Sequence, residues 1–421
     1  MKAFKGGEHA GAVSLRRAQA GLGRARVLSA IRVQDNLSGI YSARFSPDGK
    51  VIAVTCGSGG IQLRDAETGE LRETLRGSLE QALPVLSARF APRPQSDQNK
   101  NNRNKAAGQG IAGIQDMATK YSDSDSDEDD DDDGTALFMP TRGSTDKGES
   151  KKKAEENKGG KLGEKLLKFK MRSSGVFYAG SACGRIFKCN LKEGVCESFA
   201  KEEGNEVHAV DLDAISSTLV SGGKDSTVRL YDTLTKKLVH AYEKATPDSS
   251  EGHSARIFCV RCDPVERSVI YTGGWDDIVK VWDTRKPKGV TQNLYGPHIC
   301  GSDAIDVQGD MLLTGSWAVR DSIKVWDTRV LKVLNHVSPT NRKAKLDGEF
   351  LYAAQFFKGD PSFDLILAGG SGTGAVEVIS RSLNKIVAQL RAEKPTFTID
   401  SYGPVFAFGG TSNKFTIAEY T

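Results

Sequence analysis

The chain has 421 residues, of which 38% are hydrophobic and 27% charged, and its formal net charge is +4. A charge so close to zero for this length gives no general reason to expect a nucleic acid or a membrane surface as partner. No apolar run approaches the roughly 20 residues of a membrane span, and none follows Met1 and Lys2 as a signal peptide would. Composition therefore predicts a globular, intracellular protein.

The seven cysteines are odd in number and irregular in spacing. Such a set predicts free thiols in a reducing compartment, cytoplasmic or nuclear, rather than a disulfide framework. Cys259 and Cys262 form a CxxC pair, but a zinc site needs a second ligand pair at a suitable spacing. Cys262 also occupies a place where other segments carry Phe45 or Phe90, so we expect it to be buried in a strand. We predict neither a metal nor a cofactor.

In chain order, residues 1–23 are expected to be a flexible tail. Residues 24–33, RARVLSAIRV, contain β-branched residues in partial alternation and predict a strand ahead of everything that follows. Beyond them, the segment VKVWDTR at 279–285 recurs as IKVWDTR at 323–329. Self-similarity at about 40 residues is typical of a stack of equivalent small units.

Alignment on that segment gives seven copies about 40 to 50 residues apart, once the compositionally different stretch 93–174 is set aside. The aligned positions are Arg64, Cys189, Tyr231, Trp282, Trp326, Ile379 and Ala418. Each copy contains apolar–polar alternation at period two, which predicts half-buried strands. The Gly pairs, as in LVSGGKDSTVRLYD at 219–232, are expected to form the hairpin turns.

These copies resemble WD40 repeats, and the copy with Gly252-His253, Thr272, Asp276 and Trp282-Asp283 carries the fullest set of family positions. The resemblance implies an all-β, seven-bladed propeller. It further implies a structural hydrogen-bond network of His253, Thr272, Asp276 and Trp282, with Asp225 and Trp326 at the corresponding places in blades 3 and 5. Other blades depart from the pattern, since Cys189, Ile379 and Ala418 stand where Trp is expected.

The chain stops at Thr421, directly after the predicted third strand of blade 7, which would leave an unpaired strand edge. The strand predicted at 24–33 can complete that blade. We therefore expect the propeller to be closed by its N-terminal strand. The domain boundaries follow: 24–92 for the closing strand, blade 1 and the start of blade 2; 93–174 for an insert; and 175–421 for the remainder.

The insert contains SDSDSDEDDDDD at 122–133 and a Lys-rich stretch at 147–172. Blocks of like charge with few apolar residues predict disorder. Three interpretations stay open: a solvating loop without a partner, an acidic arm for a basic protein, or a regulatory segment. For the last, Ser122, Ser124 and Ser126 are candidate phosphorylation sites, because each has an acidic residue three positions on.

By the same resemblance, a few positions per blade face whatever docks over the central channel. Those in this chain are Tyr41, His208, Lys224, Arg256, Phe258, Trp275, Trp317, Phe350 and Tyr352. Trp275 and Trp317 are the strongest candidates, because they occupy the same slot in adjacent blades and Trp dominates binding hot spots. The alternative is that each Trp folds back and caps its own hairpin.

Catalysis has little support in the sequence. The SGGKD segment at 221–225 lacks the spacing of a phosphate-binding loop, and His298 with Cys300 lacks a third orienting group. We predict a non-catalytic scaffold that binds a peptide or protein subunit over the top rim. One alternative is a nuclear or nucleolar module engaging histones, ribosomal proteins or RNA through the insert; a weaker one is a cytoskeletal or ciliary subunit. No membrane or small-molecule substrate is expected, and nucleic acid is disfavoured.

Overall fold

The structure is a computed structural model that describes residues 23–34, 39–76, 83–92, 175–342 and 348–421. These residues belong to one compact unit, Met1–Pro94 with Arg172–Thr421. A second unit, Gln95–Met171, falls within the predicted insert and outside the described residues. The predictions for Ser122, Ser124 and Ser126 and for residues 1–22 therefore concern parts of the chain that are not described.

The described residues form 28 β-strands and no helix. The strand β1 (Ala25–Arg32) comes first, and each blade then follows as consecutive strands. Blade 1 is β2 (Ile40–Phe45), β3 (Val51–Cys56), β4 (Gly60–Asp65) and β5 (Leu71–Arg76). Blade 2 is β6 (Val85–Phe90), β7 (Val176–Ser181), β8 (Arg185–Asn190) and β9 (Val195–Lys201). Blade 3 is β10 (Val207–Leu212), β11 (Thr218–Gly223), β12 (Val228–Asp232) and β13 (Leu238–Tyr242).

Blade 4 is β14 (Ile257–Cys262), β15 (Val269–Gly274), β16 (Ile278–Asp283) and β17 (Val290–Tyr295). Blade 5 is β18 (Ile305–Gln308), β19 (Met311–Gly315), β20 (Ile323–Asp327) and β21 (Lys332–Val337). Blade 6 is β22 (Leu351–Phe356), β23 (Leu365–Gly370), β24 (Ala375–Ser380) and β25 (Lys385–Arg391). Blade 7 is β26 (Thr396–Tyr402), β27 (Val405–Gly410) and β28 (Lys414–Tyr420), with β1 as its fourth strand.

The seven sheets are arranged as a ring. The first strand of each blade, strand a, packs beside strand a of the next blade, and β26 of blade 7 packs against β2 of blade 1. Strand β1 pairs antiparallel with β28, from Ala25 opposite Tyr420 to Arg32 opposite Lys414. The predicted seven-bladed propeller and its closure by the N-terminal strand are thus confirmed.

The hydrophobic core is divided into layers between blades. One layer joins Tyr271 and Val281 of blade 4 to Ile305 and Trp326 of blade 5. Another joins Leu313 and Val325 of blade 5 to Phe356 of blade 6. Because each layer needs two adjacent sheets, a single blade cannot bury its own apolar face, which explains why closure of the ring matters.

Strand a carries a repeated irregularity near its start. In six blades the pairing register between strand a and strand b, the second strand of the blade, shifts around the second residue of strand a. That residue is left without a partner, as in a β-bulge. These residues are Tyr41, Leu86, His208, Phe258, Tyr352 and Phe397. In blade 5 the ladder begins only at Ile305.

The Gly pairs do not form the hairpin turns as expected, because they end strand b opposite this bulge. A Cβ on Gly274 would lie 2.0 Å from the carbonyl oxygen of Arg256, and one on Gly370 would lie 2.1 Å from that of Phe350. The absence of a side chain therefore lets the backbone before strand a approach closely. The turns follow later, where Ser226 and Asp277 adopt φ of 66° and 60°.

The cysteines also depart from expectation. Cys189 of β8 and Cys196 of β9 form a disulfide, whereas the sequence predicted only thiols. The two residues face each other in the register of this hairpin, with Cα atoms 4.0 Å apart. Cys183, Cys259, Cys262 and Cys300 are free thiols, and Cys262 is buried in strand a of blade 4.

Candidate functional site

The six bulged residues of strand a surround one cavity at the end of the channel where these strands begin, here called the top. The cavity has a volume of about 420 Å³ and is open to solvent. It is lined by Tyr41, Leu86, Ala182, Glu206, His208, Arg256, Phe258, Trp275, Cys300, Gly301, Ser302, Tyr352 and Phe397. We call this cavity the top basin.

One wall of the top basin is a stack of rings from blades 3 and 4. His208 and Phe258 lie nearly parallel, with ring centroids 4.6 Å apart, and Phe258 contacts Trp275 at 5.0 Å. Trp275 donates its indole N–H to Cys300 Sγ over 3.1 Å, which ties it to the segment entering blade 5. Trp275 is nevertheless 46% exposed, so its ring remains accessible at the rim.

The opposite wall is built by blades 1, 6 and 7. Phe397 lies between Tyr41, at 5.9 Å, and Tyr352, at 5.1 Å between ring centroids. The Tyr352 hydroxyl accepts a hydrogen bond of 3.1 Å from Trp317 Nε1. Trp317 packs on Phe350 at 4.6 Å, just outside the cavity.

Four charged or titratable groups stand at the rim between blades 3 and 4. Glu206 pairs with Lys224 over 2.7 Å and with His208 Nε2 over 3.4 Å. The hydrogen bond from Lys224 is the main cause that lowers the pKa of Glu206. Burial lowers the pKa of His208, which keeps its imidazole neutral near pH 7. Arg256 places its guanidinium carbon 5.5 Å from the ring centroid of Trp275.

The floor of the top basin is the segment Gly301 to Asp303, which takes the place of the bulge in blade 5. Asp303 is fully buried, and its Oδ1 receives hydrogen bonds from Arg89, at 3.0 Å, and Arg261, at 3.4 Å. Arg44 pairs with the same oxygen. The carboxylate therefore joins guanidinium groups from blades 1, 2 and 4 next to Gly301 and Ser302 of the basin.

Burial, followed by the nearby Arg261 charge, lowers the pKa of Arg89 to about 10. Arg89 therefore remains charged at neutral pH, and the cluster needs the Asp303 carboxylate. The second oxygen of Asp303 accepts a hydrogen bond of 2.7 Å from Thr398 Oγ1 of blade 7. A floor tied to so many blades holds the basin walls at fixed positions.

Six of the nine rim residues predicted from spacing line the top basin: Tyr41, His208, Arg256, Phe258, Trp275 and Tyr352. The other three, Lys224, Trp317 and Phe350, lie beside it. Spacing missed Leu86 and Phe397, which occupy the same strand-a slot in blades 2 and 7. Phe397 could have been found by applying the same count to TFTIDS, where Ser401 stands at the position of the aromatic residues Phe45, Phe90 and Phe356.

Blade 4 contains a chain of buried hydrogen bonds. Trp282 Nε1 donates to Thr272 Oγ1 over 2.7 Å. His253 contacts the same hydroxyl through Nε2, at 2.6 Å, and Asp276 Oδ2 through Nδ1, at 2.8 Å. Because a carboxylate only accepts, Nδ1 carries the proton and Nε2 accepts from Thr272.

The other two blades with expected network residues differ. In blade 3, Glu202 replaces His and accepts hydrogen bonds from Ser221 and Tyr231, while Asp225 pairs with Arg229 over 2.6 Å. In blade 5, Trp326 donates to Thr314 Oγ1 over 3.1 Å. His298, the nearest candidate for the missing His there, instead contacts Asp277 at 2.6 Å.

Two family models match the chain. The model for the WD domain, G-beta repeat, matches residues 196–232 and 246–283, the second of which contains the whole blade 4 network. The model for the anaphase-promoting complex subunit 4 WD40 domain matches residues 9–86. The chain is a WD40-repeat protein.

Individual relatives of this WD40-repeat protein match it over limited segments. Methylosome protein WDR77 of Xenopus laevis is 32% identical over 108 residues, 25% of this chain and 29% of that protein. Mitochondrial division protein 1 of Aspergillus terreus is 24% identical over 215 residues, 41% of this chain and 31% of that protein. The guanine nucleotide-binding protein subunit beta-like protein of Encephalitozoon cuniculi is 27% identical over 124 residues, 30% and 35% of the two chains. The matches thus span about a third of these relatives.

WD40 propellers are generally non-catalytic scaffolds that hold protein partners in complexes. In the described parts of this WD40-repeat protein, no three His, Cys, Asp or Glu side chains are grouped as metal ligands are. The same parts contain no helix long and apolar enough to cross a lipid bilayer.

Proposed function

We propose that this WD40-repeat protein is a non-catalytic scaffold that binds a peptide segment of a partner protein in the top basin. The observation that carries the proposal is that the bulges of six blades direct five rings and the side chain of Leu86 into one cavity. Of the four Trp side chains, Trp282 and Trp326 are buried, whereas Trp275 and Trp317 are 46% and 39% exposed at this rim. Exposed, rigid aromatic residues around a cavity are typical of binding hot spots.

The similar proteins support the scaffold class. One matching family model describes a subunit of the anaphase-promoting complex, and one relative is named a methylosome protein. Both names place a propeller within a larger assembly. We propose the same kind of role for this protein. The names of the similar proteins do not identify its partner. We also propose an intracellular location, since Cys183, Cys259, Cys262 and Cys300 are free thiols.

The proposal is tested by affinity capture from the source cells with matched variants. Trp275→Ala removes a ring from the basin wall. Tyr295→Ala is the control, because Tyr295 is a 69% exposed aromatic residue on the outer strand β17 of the same blade. We expect partners to be lost with Trp275→Ala, retained with Tyr295→Ala, and retained when the charged insert is deleted.

The alternative function through the insert predicts the reverse pattern. Partners would then be lost on deletion of residues 95–174 and retained in Trp275→Ala. Their binding would also weaken steeply as salt is raised, because contacts between exposed charges are screened. That combination would refute binding in the top basin. Thermal unfolding of each variant confirms that a lost partner does not reflect a lost fold.

A further inference from the structure

The charges at the rim of the top basin define the chemistry of the peptide it takes. Building on the function proposed above, we propose that the basin selects a segment in which an Asp or Glu lies beside an apolar side chain, and that Arg256 binds the carboxylate. The rings and the floor at Gly301 and Ser302 receive the apolar side chain.

Arg256 supplies a positive charge at the rim of the top basin. Its guanidinium lies on the Trp275 ring, and no carboxylate among the described residues forms an ion pair with it. The other arginines of strands a, namely Arg44, Arg89 and Arg261, are all paired with Asp303. A half-buried guanidinium that is permanently charged and lacks an anion is a ready site for one.

The titratable groups near Arg256 do not form an ion pair with it. Glu206 is the acidic side chain among the basin-lining residues, and it is already paired with Lys224 and His208. His208 is neutral near pH 7 because burial lowers its pKa. Burial also raises the pKa of Cys300 to about 11, so its thiol carries no negative charge. Asp277, whose charge also acts on Cys300, contacts His298 Nδ1 over 2.6 Å. Among the described residues that line the basin, Arg256 is therefore the charged group without an ion-pair partner.

Arg256 also lies beside the rings of the basin wall. It directly precedes strand a of blade 4, two residues before Phe258, and its carbonyl accepts the backbone N–H of Trp275 over 3.1 Å. A carboxylate on Arg256 would thus sit at the edge of the Phe258 and Trp275 wall. A neighbouring side chain of the same peptide then reaches the ring-lined cavity, where burial of apolar surface supplies affinity.

The position of Arg256 is occupied by different residues in the other blades, so its positive charge is specific to blade 4. It is occupied by Gly39, Pro84, Phe350 and Pro395 in blades 1, 2, 6 and 7. Charged residues stand there only in blades 3 and 4, as Glu206 and Arg256. A basic peptide would face Arg256 without a free acidic partner, which disfavours it by charge repulsion.

The test is selection of a randomised peptide library displayed on phage by the purified full chain. The peptides are fused through their C-termini, so a free terminal carboxylate cannot contribute. The most enriched peptide is then titrated by fluorescence polarisation beside a copy with its acidic residue changed to the amide. Arg256→Glu and Arg256→Gln are compared with Arg267→Glu, a control at the opposite end of strand a in the same blade, 57% exposed in its side chain.

We expect wild type to enrich peptides with an acidic residue next to an apolar one, and the amide copy to bind about tenfold more weakly. Both Arg256 variants should abolish that difference, and Arg267→Glu should preserve it. Enrichment of apolar peptides with no acidic preference, or with a basic one, would overturn the assignment of Arg256 while leaving peptide binding in the basin intact. Enrichment of nothing would count against the proposed function as well.

Discussion

Asp303 accepts a hydrogen bond of 3.0 Å from Arg89, although the two residues belong to blades 5 and 2 of the ring. The contact crosses the channel, and Arg44 and Arg261 converge on the same oxygen from blades 1 and 4. One carboxylate thus connects strands that are far apart in sequence. Its position directly below the top basin means that the stability of the ring and the shape of the basin depend on the same residue.

We predict that Asp303→Asn lowers the free energy of unfolding by about 3–5 kcal/mol, because three buried guanidinium groups lose the carboxylate that they share. Urea denaturation measures this. Asp310→Asn is the control, since Asp310 is 65% exposed and lies 3.5 Å from Arg329. A surface pair of that kind contributes less than about 1 kcal/mol. Equal losses in the two variants would contradict the role assigned to Asp303.

The architecture could be predicted from sequence because each blade is a set of local hairpins that leaves a repeating pattern. The echo of the segment around Trp282 in that around Trp326 set the register for all seven copies, and the aligned positions all fall near the end of the third strand. Closure of the ring could be predicted because blade 7 lacked a fourth strand and the strand at 24–33 belonged to no other blade. Contacts that depend on an individual departure from the repeat could not be predicted in this way.

Three such departures were missed. Asp303 stands at the position that holds a ring in five other blades and Leu86 in blade 2, and it lies in the connection before the blade 5 ladder begins at Ile305. The disulfide joins Cys189, which occupies the position of Trp282 in its own blade, to Cys196. The two cysteines face each other because of the register of that one hairpin. Glu202 takes the place of a network His in blade 3 through different partners.

A second prediction concerns the Gly pairs that end strand b. Gly274→Ala should lower the free energy of unfolding by about 1–3 kcal/mol, because the new Cβ would meet the carbonyl of Arg256 at 2.0 Å and force the backbone apart. The same shift would move the bulge and weaken peptide binding. Gly60→Ala is the control, since its Cβ would have no neighbour closer than 3.6 Å. If both variants unfold at the same urea concentration, the bulge does not require Gly274.

A third prediction concerns pH. Burial lowers the pKa of His253 below its ordinary 6.5. Burial alone would raise the pKa of Asp276, but the hydrogen bond from His253 outweighs burial and lowers this pKa below its ordinary 3.8. Both groups therefore bind fewer protons in the folded chain than in the unfolded chain. Their stabilisation is fully present above the unfolded pKa values and is lost as pH falls through the lower folded ones.

We accordingly expect wild type to lose stability as pH falls below about 6.5, and His253→Gln to lose less over the same window. Near neutral pH wild type should be the more stable of the two, because the variant breaks the contacts with Thr272 and Asp276. Urea titrations at a series of pH values measure the difference between the two proteins. A difference that stays constant through the acid window would show that His253 is not held neutral by burial.

The fourth prediction concerns closure of the ring. Deletion of residues 1–33 removes β1 and leaves β28 as an unpaired edge, with the inter-blade layer around Val33, Phe415 and Ile417 opened to water. Because each core layer needs two sheets, we expect loss of cooperative unfolding and association into oligomers rather than a slightly shorter propeller. Light scattering after size exclusion and thermal unfolding measure both effects.

The matched control is Arg26→Ala, which leaves β1 in place and removes an exposed pair with Glu419 at 2.6 Å. Such a pair contributes less than about 1 kcal/mol, so this variant should remain monomeric with nearly unchanged unfolding. A monomeric, cooperatively folded deletion variant would mean that blade 7 is stable with three strands. In that case β1 would contribute little to closure of the ring.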